Sequence, residues 1–322
     1  MVQTDGKKLL LIINPVSGKK QGVKYAQMII NKFSAAGFDI KAVYTKIDEN
    51  AYDVTLKHGA AFDLIVCVGG DGTLKETVGG INRLGKDIPI GYIPTGSTND
   101  FAHSLGIPDK TEEAVDAIIN GEPHYVDMGK FGDSAFIYVA GFGNFTAISY
   151  DTSIKLKNLF GRNAYYLASV KEFFKLKGYH ARVEADGETF EGDYFYAEAS
   201  NSYSVGSLPI LHNIGVKFDD GYHELVLVKM FKNFKDFMSL VESVVKKDIT
   251  HNDLVVFRHC KNIRFMFDEP TPFTLDGEFG GDQIDVTIKN VEHAFRIITL
   301  NPLPVDEKEA KSPDLALSES NK

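Results

Sequence analysis

Short apolar runs alternate with longer stretches of helical spacing through the first third of the chain. Lys8 to Ile13, Phe38 to Tyr44, Leu64 to Val68 and Pro89 to Ile93 predict strands, and residues 21–36, 51–61, 73–84 and 111–120 predict helices. Leu64-Ile65-Val66-Cys67-Val68 is apolar at every position, the pattern of a strand buried on both faces. Alternating strands and helices predict an α/β domain, a parallel sheet flanked by helices.

Beyond about residue 130 the pattern turns β-rich, with strands expected at Ala135 to Ala140, His180 to Ala185, Tyr194 to Ser200 and His223 to Met230. Further strands are expected at Asn262 to Phe267, Ile284 to Ile288 and Ala294 to Thr299, and helices at 162–177 and 234–246. The expected organisation is therefore an α/β domain over 1–130 and a mainly antiparallel second domain over 131–300. A closing segment near 290–305 is free to return to the first domain, and the polar tail 306–322 is expected to be disordered.

The predicted strands end in unusual loops. After the third comes Gly69-Gly70-Asp71-Gly72-Thr73, a glycine turn into a helix, which lets backbone N–H groups approach phosphate oxygens. Asp71 would repel phosphate directly, so it suggests an intervening Mg²⁺ and a Mg-nucleotide site. The first strand ends in Asn14-Pro15-Val16-Ser17-Gly18-Lys19-Lys20, which is not a Walker A loop, and the fourth in Pro94-Thr95-Gly96-Ser97-Thr98-Asn99-Asp100. In a parallel sheet all of these loops share the carboxyl edge where ligands collect. Their convergence predicts a binding cleft.

Composition narrows the class. The 322 residues are 43% hydrophobic and 25% charged with net charge −9, which argues against a general nucleic-acid binder. Two separated cysteines, Cys67 and Cys260, support no disulfide scaffold and fit a reducing compartment. No run reaches the ~18 apolar residues of a membrane span, so a cytoplasmic protein is expected. The histidines show no metal-ligand spacing. Between Lys155 and Lys177 basic and aromatic residues interleave, which suits either a solvated helix face or contact with anionic lipid headgroups. Asp276-Gly277 is by itself a hairpin signal, and Asp219-Asp220-Gly221 is a turn whose carboxylates could also hold a hard cation.

Taken together, Asn14-Pro15-Val16-Ser17-Gly18, Gly69-Gly70-Asp71-Gly72-Thr73, Gly96-Ser97-Thr98-Asn99-Asp100 and Leu275-Asp276-Gly277-Glu278 resemble the diacylglycerol kinase catalytic-domain superfamily, with the soluble bacterial enzymes as nearest match. The resemblance spans residues 7–300. It implies an ATP-binding α/β domain, a β-sandwich-like second domain and an active site between them. It implies ATP contacts from Asn14, Pro15, Val16, Ser17, Gly18, Thr45, Gly69, Gly70, Asp71, Gly72, Thr73, Leu74, Lys75, Glu76 and Ser97, where Ser97 replaces a threonine common in the family. Asp276 resembles the general base and Glu278 its support; Asp71, Asp100 and Asp127 resemble a network organising Mg²⁺ and water. Lys217, Asp220 and Tyr222 resemble a separate structural Mg²⁺ site.

The expected activity is ATP- and Mg²⁺-dependent phosphorylation of diacylglycerol to phosphatidic acid, with transient contact at the inner face of the cell membrane and a homodimer through an exposed edge strand. The alternatives are a kinase for a sphingoid base, another lipid or NAD, and a non-catalytic nucleotide-binding regulator. The joint presence of Asp71, Asp100, Asp276 and Glu278 favours catalysis over the regulator.

Overall fold

A computed structural model of the chain describes residues 6–18, 21–144, 177–202, 216–246 and 248–304. The helix expected at 162–177, apart from Lys177, and the tail from Asp306 lie outside the described residues. Strand β1 (Lys8–Ile13) pairs in parallel with β2 (Asp39–Tyr44) and β3 (Leu64–Gly69), and β4 (Ile90–Pro94) pairs in parallel with β3. Helices α1 (Gln21–Ala35), α2 (Ala51–His58), α3 (Asp71–Leu84), α4 (Asp100–Ser104) and α5 (Thr111–Asn120) connect these strands or follow them.

Alternation along β1 explains its unbroken apolar run. Leu9, Leu11 and Ile13 pack with Ile29 and Phe33 of α1 and Ile118 of α5, whereas Leu10 and Ile12 pack with Val54 of α2 and Leu74 and Val78 of α3. A strand sandwiched in this way has no face left for polar residues. Local signals set the helix ends. Asn50 and Asp53 form a reciprocal capping box at the start of α2. Gly85, with φ 63°, closes α3 in the left-handed conformation.

The rest of the chain is mainly antiparallel. It comprises β5 (Glu122–Phe131), β6 (Ser134–Phe136), β7 (Val139–Gly143), β8 (Tyr179–Ala185), β9 (Glu188–Ser200), β10 (His223–Lys229), α6 (Phe234–Val245), β11 (Val255–Cys260), β12 (Asn262–Leu275) and β13 (Glu278–Thr299). Hydrogen-bonded neighbours run β11-β10-β9-β7-β12-β13-β4-β3-β1-β2. The junction is β13, which pairs antiparallel with β12 and β5 and then parallel with β4 through Ile297 and Ile90. A second core lies within the antiparallel part. There the Phe142 ring meets Phe265, Phe267 and Phe273 at centroid distances of 5.6, 4.9 and 5.2 Å.

Several elements differ from expectation. The strands expected at Ile284 to Ile288 and Ala294 to Thr299 are one 22-residue strand, whose register with β5 shifts between Val291 and Phe295. His293, with φ 52°, stands inside that irregularity and obscures the period-2 pattern. The strand expected at Ala135 to Ala140 is broken into β6 and β7. At the break, the amides of Ile137, Tyr138 and Val139 turn to the carboxylate of Asp276. Strand β11, at one end of the sheet, went unpredicted because Val255-Val256-Phe257-Arg258-His259-Cys260 does not alternate.

Candidate active site

The loops after β1, β3 and β4 meet, as the parallel topology requires. Asn14 Nδ2 donates to Thr73 Oγ1 at 2.9 Å, joining the first loop to α3, and Thr95 Oγ1 donates to Ser17 Oγ at 3.3 Å, joining it to the third. Thr45 follows β2 with its N–H on Ile13 O, beside the same edge. Glycine is needed for this closeness. A Cβ on Gly18 would stand 1.6 Å from Thr95 O, and one on Gly96 2.7 Å from Gly70 Cα. Asn99, with φ 53°, completes the third loop by accepting from Gly96 N at 2.9 Å. Ser97 and Val16 are exposed on these loops, with Pro15 between Asn14 and Val16. Lys19 and Lys20 lie outside the described residues.

Helix α3 begins at Asp71 with Gly70 as its N-cap, two residues earlier than its apolar spacing indicates. Its first N–H groups have no intrahelical partners, and the helix dipole favours an anion at that end. Leu74 is wholly buried in the core, so only its backbone faces this edge. Glu76 is turned away, accepting from Ala51 N at 3.1 Å and so capping α2.

Asp71 accepts from Asp100 N at 3.1 Å and from the hydroxyl of Tyr92 at 3.3 Å. Burial, then the nearby Asp100 and Asp276, push its carboxyl up to about 7. A buried acid crowded by other acids is relieved by a cation, and hard carboxylate oxygens suit Mg²⁺. Among the described residues no three His, Cys, Asp or Glu side chains converge to hold a metal by themselves. A Mg²⁺ held here would take its remaining oxygens from phosphate and water.

Asp276 and Gly277, with φ 53° and 82°, form the tight turn between β12 and β13. That turn carries the Asp276 carboxylate inward. Its oxygens accept from Ile137 N at 3.0 Å, Tyr138 N at 3.0 Å and Val139 N at 3.2 Å, and Lys75 Nζ lies 3.4 Å from Oδ2. Burial raises the carboxyl, while Lys75 and the three amides oppose the rise. Glu278 follows on the same turn, its Oε1 3.3 Å from where a Gly72 Cβ would stand. The turn thus faces the first residues of α3.

Asp127 is directed to different donors. Its carboxylate accepts from Gly221 N at 2.6 Å and His293 N at 2.8 Å, and Asp220 is its acidic neighbour. Of the acids expected as one network, Asp71 has Asp100 as its neighbour and Asp127 has Asp220. Asp220 also accepts from Tyr222 N at 3.0 Å, folding the 220–222 turn on itself. Burial raises both Asp127 and Asp220, so this pair also fits a hard cation, with Lys217 just upstream.

Sequence reasoning missed Tyr92 and the buried acids Glu198 and Glu224. A tyrosine amid the apolar residues of β4 is a usable signal, because a buried hydroxyl seeks a partner. Glu198 in β9 is fully buried and takes a hydrogen bond from the Tyr196 hydroxyl. Burial pushes its carboxyl from the ordinary 4.5 up to about 7, Tyr196 opposing and Glu224 adding to the rise. Between those values the folded chain keeps a proton that the unfolded chain releases, so this group's contribution to stability falls as pH rises. Glu198→Gln is expected to raise the melting temperature at pH 8 and to flatten its fall from pH 5. The gain is at most about 3 kcal/mol, read from denaturant unfolding at the two pH values. An unchanged pH dependence would contradict it.

A family model described as Diacylglycerol kinase catalytic domain matches residues 8–131. A protein of Bacillus subtilis (strain 168) named diacylglycerol kinase is 31% identical over 277 residues, covering 85% of this chain and 91% of that protein. One of the same name from Staphylococcus carnosus (strain TM300) is 31% identical over 297 residues, covering 91% and 95%. Two solved structures from Bacillus anthracis str. Sterne share the fold. One has a TM-score of 0.77 at 26% identity, covering 94% of this chain and 97% of the other. The second, called a diacylglycerol kinase, has a TM-score of 0.71 at 22% identity, covering 92% and 97%. Among the described residues no helix is long and apolar enough to cross a membrane.

Proposed function

The chain belongs to the diacylglycerol kinase family and is a lipid kinase; on that premise we propose that it transfers the γ-phosphoryl group of ATP to the free hydroxyl of diacylglycerol, with Asp276 as general base. The observation that carries this reading is the placement of the buried Asp276 carboxylate against the first turns of α3, with Lys75 Nζ at 3.4 Å. An acceptor hydroxyl that gives its proton to Asp276 is thereby aimed at phosphate bound on the helix N-terminus. The acceptor oxygen forms the new bond to phosphorus, the bond to the ADP oxygen breaks, and the proton stays on the carboxyl.

The remaining roles follow from the same geometry. The amides at 70–73 and the loops 14–18 and 95–99 orient the nucleotide, with Thr45 and Ser97 at their margins. Asp71 and Asp100 are the residues that would hold Mg²⁺ with phosphate and water, and Asp127, Asp220, Tyr222 and Lys217 would hold a second, structural ion. Bound Mg²⁺ supplies neutralisation of phosphate charge, which phosphoryl transfer needs more than covalent help. The chain's own task is alignment. Glu278, on the same turn as the base and next to Gly72, supports it from that side of the cleft.

In this reading residues 1–130, completed by the end of β13, bind ATP, and 131–300 receive the lipid. Because the acceptor resides in a bilayer, the enzyme works at the inner membrane face. The proposed contact is the basic segment 155–177, which lies outside the described residues except for Lys177. Strand β11, at the end of the sheet, is the edge proposed to pair in a homodimer.

The test is transfer of labelled phosphate from ATP to diacylglycerol in mixed micelles with Mg²⁺, beside sphingosine, monoacylglycerol and NAD. Labelling of diacylglycerol is expected. Preferential labelling of another acceptor would move the substrate, and no labelling with ATP binding intact would mark a regulator.

A further inference from the structure

The family resemblance places Lys75 among the nucleotide contacts. Its geometry assigns it elsewhere. On α3, positions i and i+4 share a face, so Asp71 and Lys75 point the same way, and that way is toward the Asp276 turn. The Lys75 ammonium sits 3.4 Å from Asp276 Oδ2, with a quarter of the lysine side chain exposed and the carboxylate buried. The pair spans two elements far apart in sequence, the nucleotide-side helix and the β12–β13 hairpin that carries the base.

The charge balance around Asp276 gives this contact its weight. A buried carboxylate is costly unless paired and hydrogen-bonded. The amides of Ile137, Tyr138 and Val139 supply hydrogen bonds but no net charge. On the α3 side the charged groups are Lys75, Asp71 and Glu76, which is turned to Ala51 N; the two acids act in the wrong direction, since acids beside one another favour the protonated forms. On its own turn the nearest charged group in sequence is Glu278, also an acid. Lys75 is the foremost of the influences holding Asp276 ionised against burial.

Resting on Asp276 as the base, we propose that Lys75 is a positioning residue rather than a nucleotide ligand: its ammonium ties the base to α3 and keeps it as a carboxylate ready to take the acceptor proton. Base and phosphate-binding helix are then held in register by one side chain. The tether also explains why a lysine tolerates this half-buried place on the cleft wall.

The test compares wild type, Lys75→Met, Lys75→Arg and Asp276→Asn by kcat and by KM for ATP across pH 5.5–9, with melting temperatures as a check on folding. Lys75→Met is expected to lower kcat roughly 50-fold near neutrality, less than the 10² to 10⁴ of losing a general base outright because the base itself is kept, while KM for ATP changes less than about threefold. Its acid limb should move to higher pH, so that part of the loss is recovered in alkali. Lys75→Arg should return kcat to within about fivefold of wild type, because the charge is kept.

A Lys75→Met enzyme with normal kcat and a raised KM for ATP would make Lys75 a phosphate ligand and overturn the proposal. A lowered kcat with an unmoved acid limb and no rescue by arginine would reduce Lys75 to a structural role, which also overturns it. Near-normal kcat in Asp276→Asn would remove the base assignment and the Lys75 role together. That outcome is distinct from both lysine-specific failures.

Discussion

Asp276→Asn is expected to lower kcat by about 10³-fold while leaving ATP affinity within a few-fold of wild type. General-base contributions of 10² to 10⁴ set the scale. With its oxygen in the Oδ1 place, asparagine still accepts from the amides of Ile137, Tyr138 and Val139, so the break between β6 and β7 should persist and the protein should fold. It cannot accept a proton. Burial already raises Asp276, and removing a buried ionisable group relieves that desolvation, so no large loss of stability is expected. Steady-state kinetics with diacylglycerol, together with calorimetric ATP binding, checks both halves. If more than about a tenth of kcat remained, general-base contributions of this size would be ruled out and Asp276 would not be the base.

Gly18→Ala should have the second large effect, and on a different quantity. The residue has φ 46°, and an added methyl would stand 1.6 Å from the carbonyl oxygen of Thr95. Backbone cannot yield as a side chain tip does, so the loop after β1 must move off the loop after β4. That separation breaks the Ser17–Thr95 hydrogen bond and opens the edge on which the nucleotide is proposed to sit. ATP affinity should drop by at least about 100-fold, and stability by on the order of 2–3 kcal/mol from overpacking and a left-handed alanine. Gly85→Ala is the control. It shares a positive φ but has open space around it, so it should cost about 1 kcal/mol and leave ATP binding alone. Equal ATP affinity in wild type and Gly18→Ala would show that the two loops do not form the nucleotide site.

Some features of this protein are written locally. The strand Leu64–Gly69 is apolar along its length because it is packed on both faces, and Leu9–Ile13 of β1 carries the same signature for the same reason. The glycine turn before α3 and the Asn50–Asp53 capping box are also local, since their geometry depends on neighbours within a few positions. The loops after β1, β3 and β4 were placed on one edge by topology alone, because parallel strands share an orientation.

Tertiary structure decided the rest. Asp276-Gly277 reads as a hairpin turn and is one, yet the same turn delivers a buried carboxylate to three amides near residue 138 and to a lysine near residue 75. Nothing near Asp276 in sequence encodes those partners. The broken strand at Ile137 is the reverse face of the same event, for its amides serve a side chain instead of a ladder. The turning of Asp127 to the Gly221 and His293 amides, and of Glu76 to cap α2, likewise depends on which donors the fold brings within reach. A sequence specifies residue type and local period, and these are enough for strands, helices and turns. The ionic state and partner of a buried side chain depend on long-range neighbours and on excluded water, and both come into being only when the chain closes on itself.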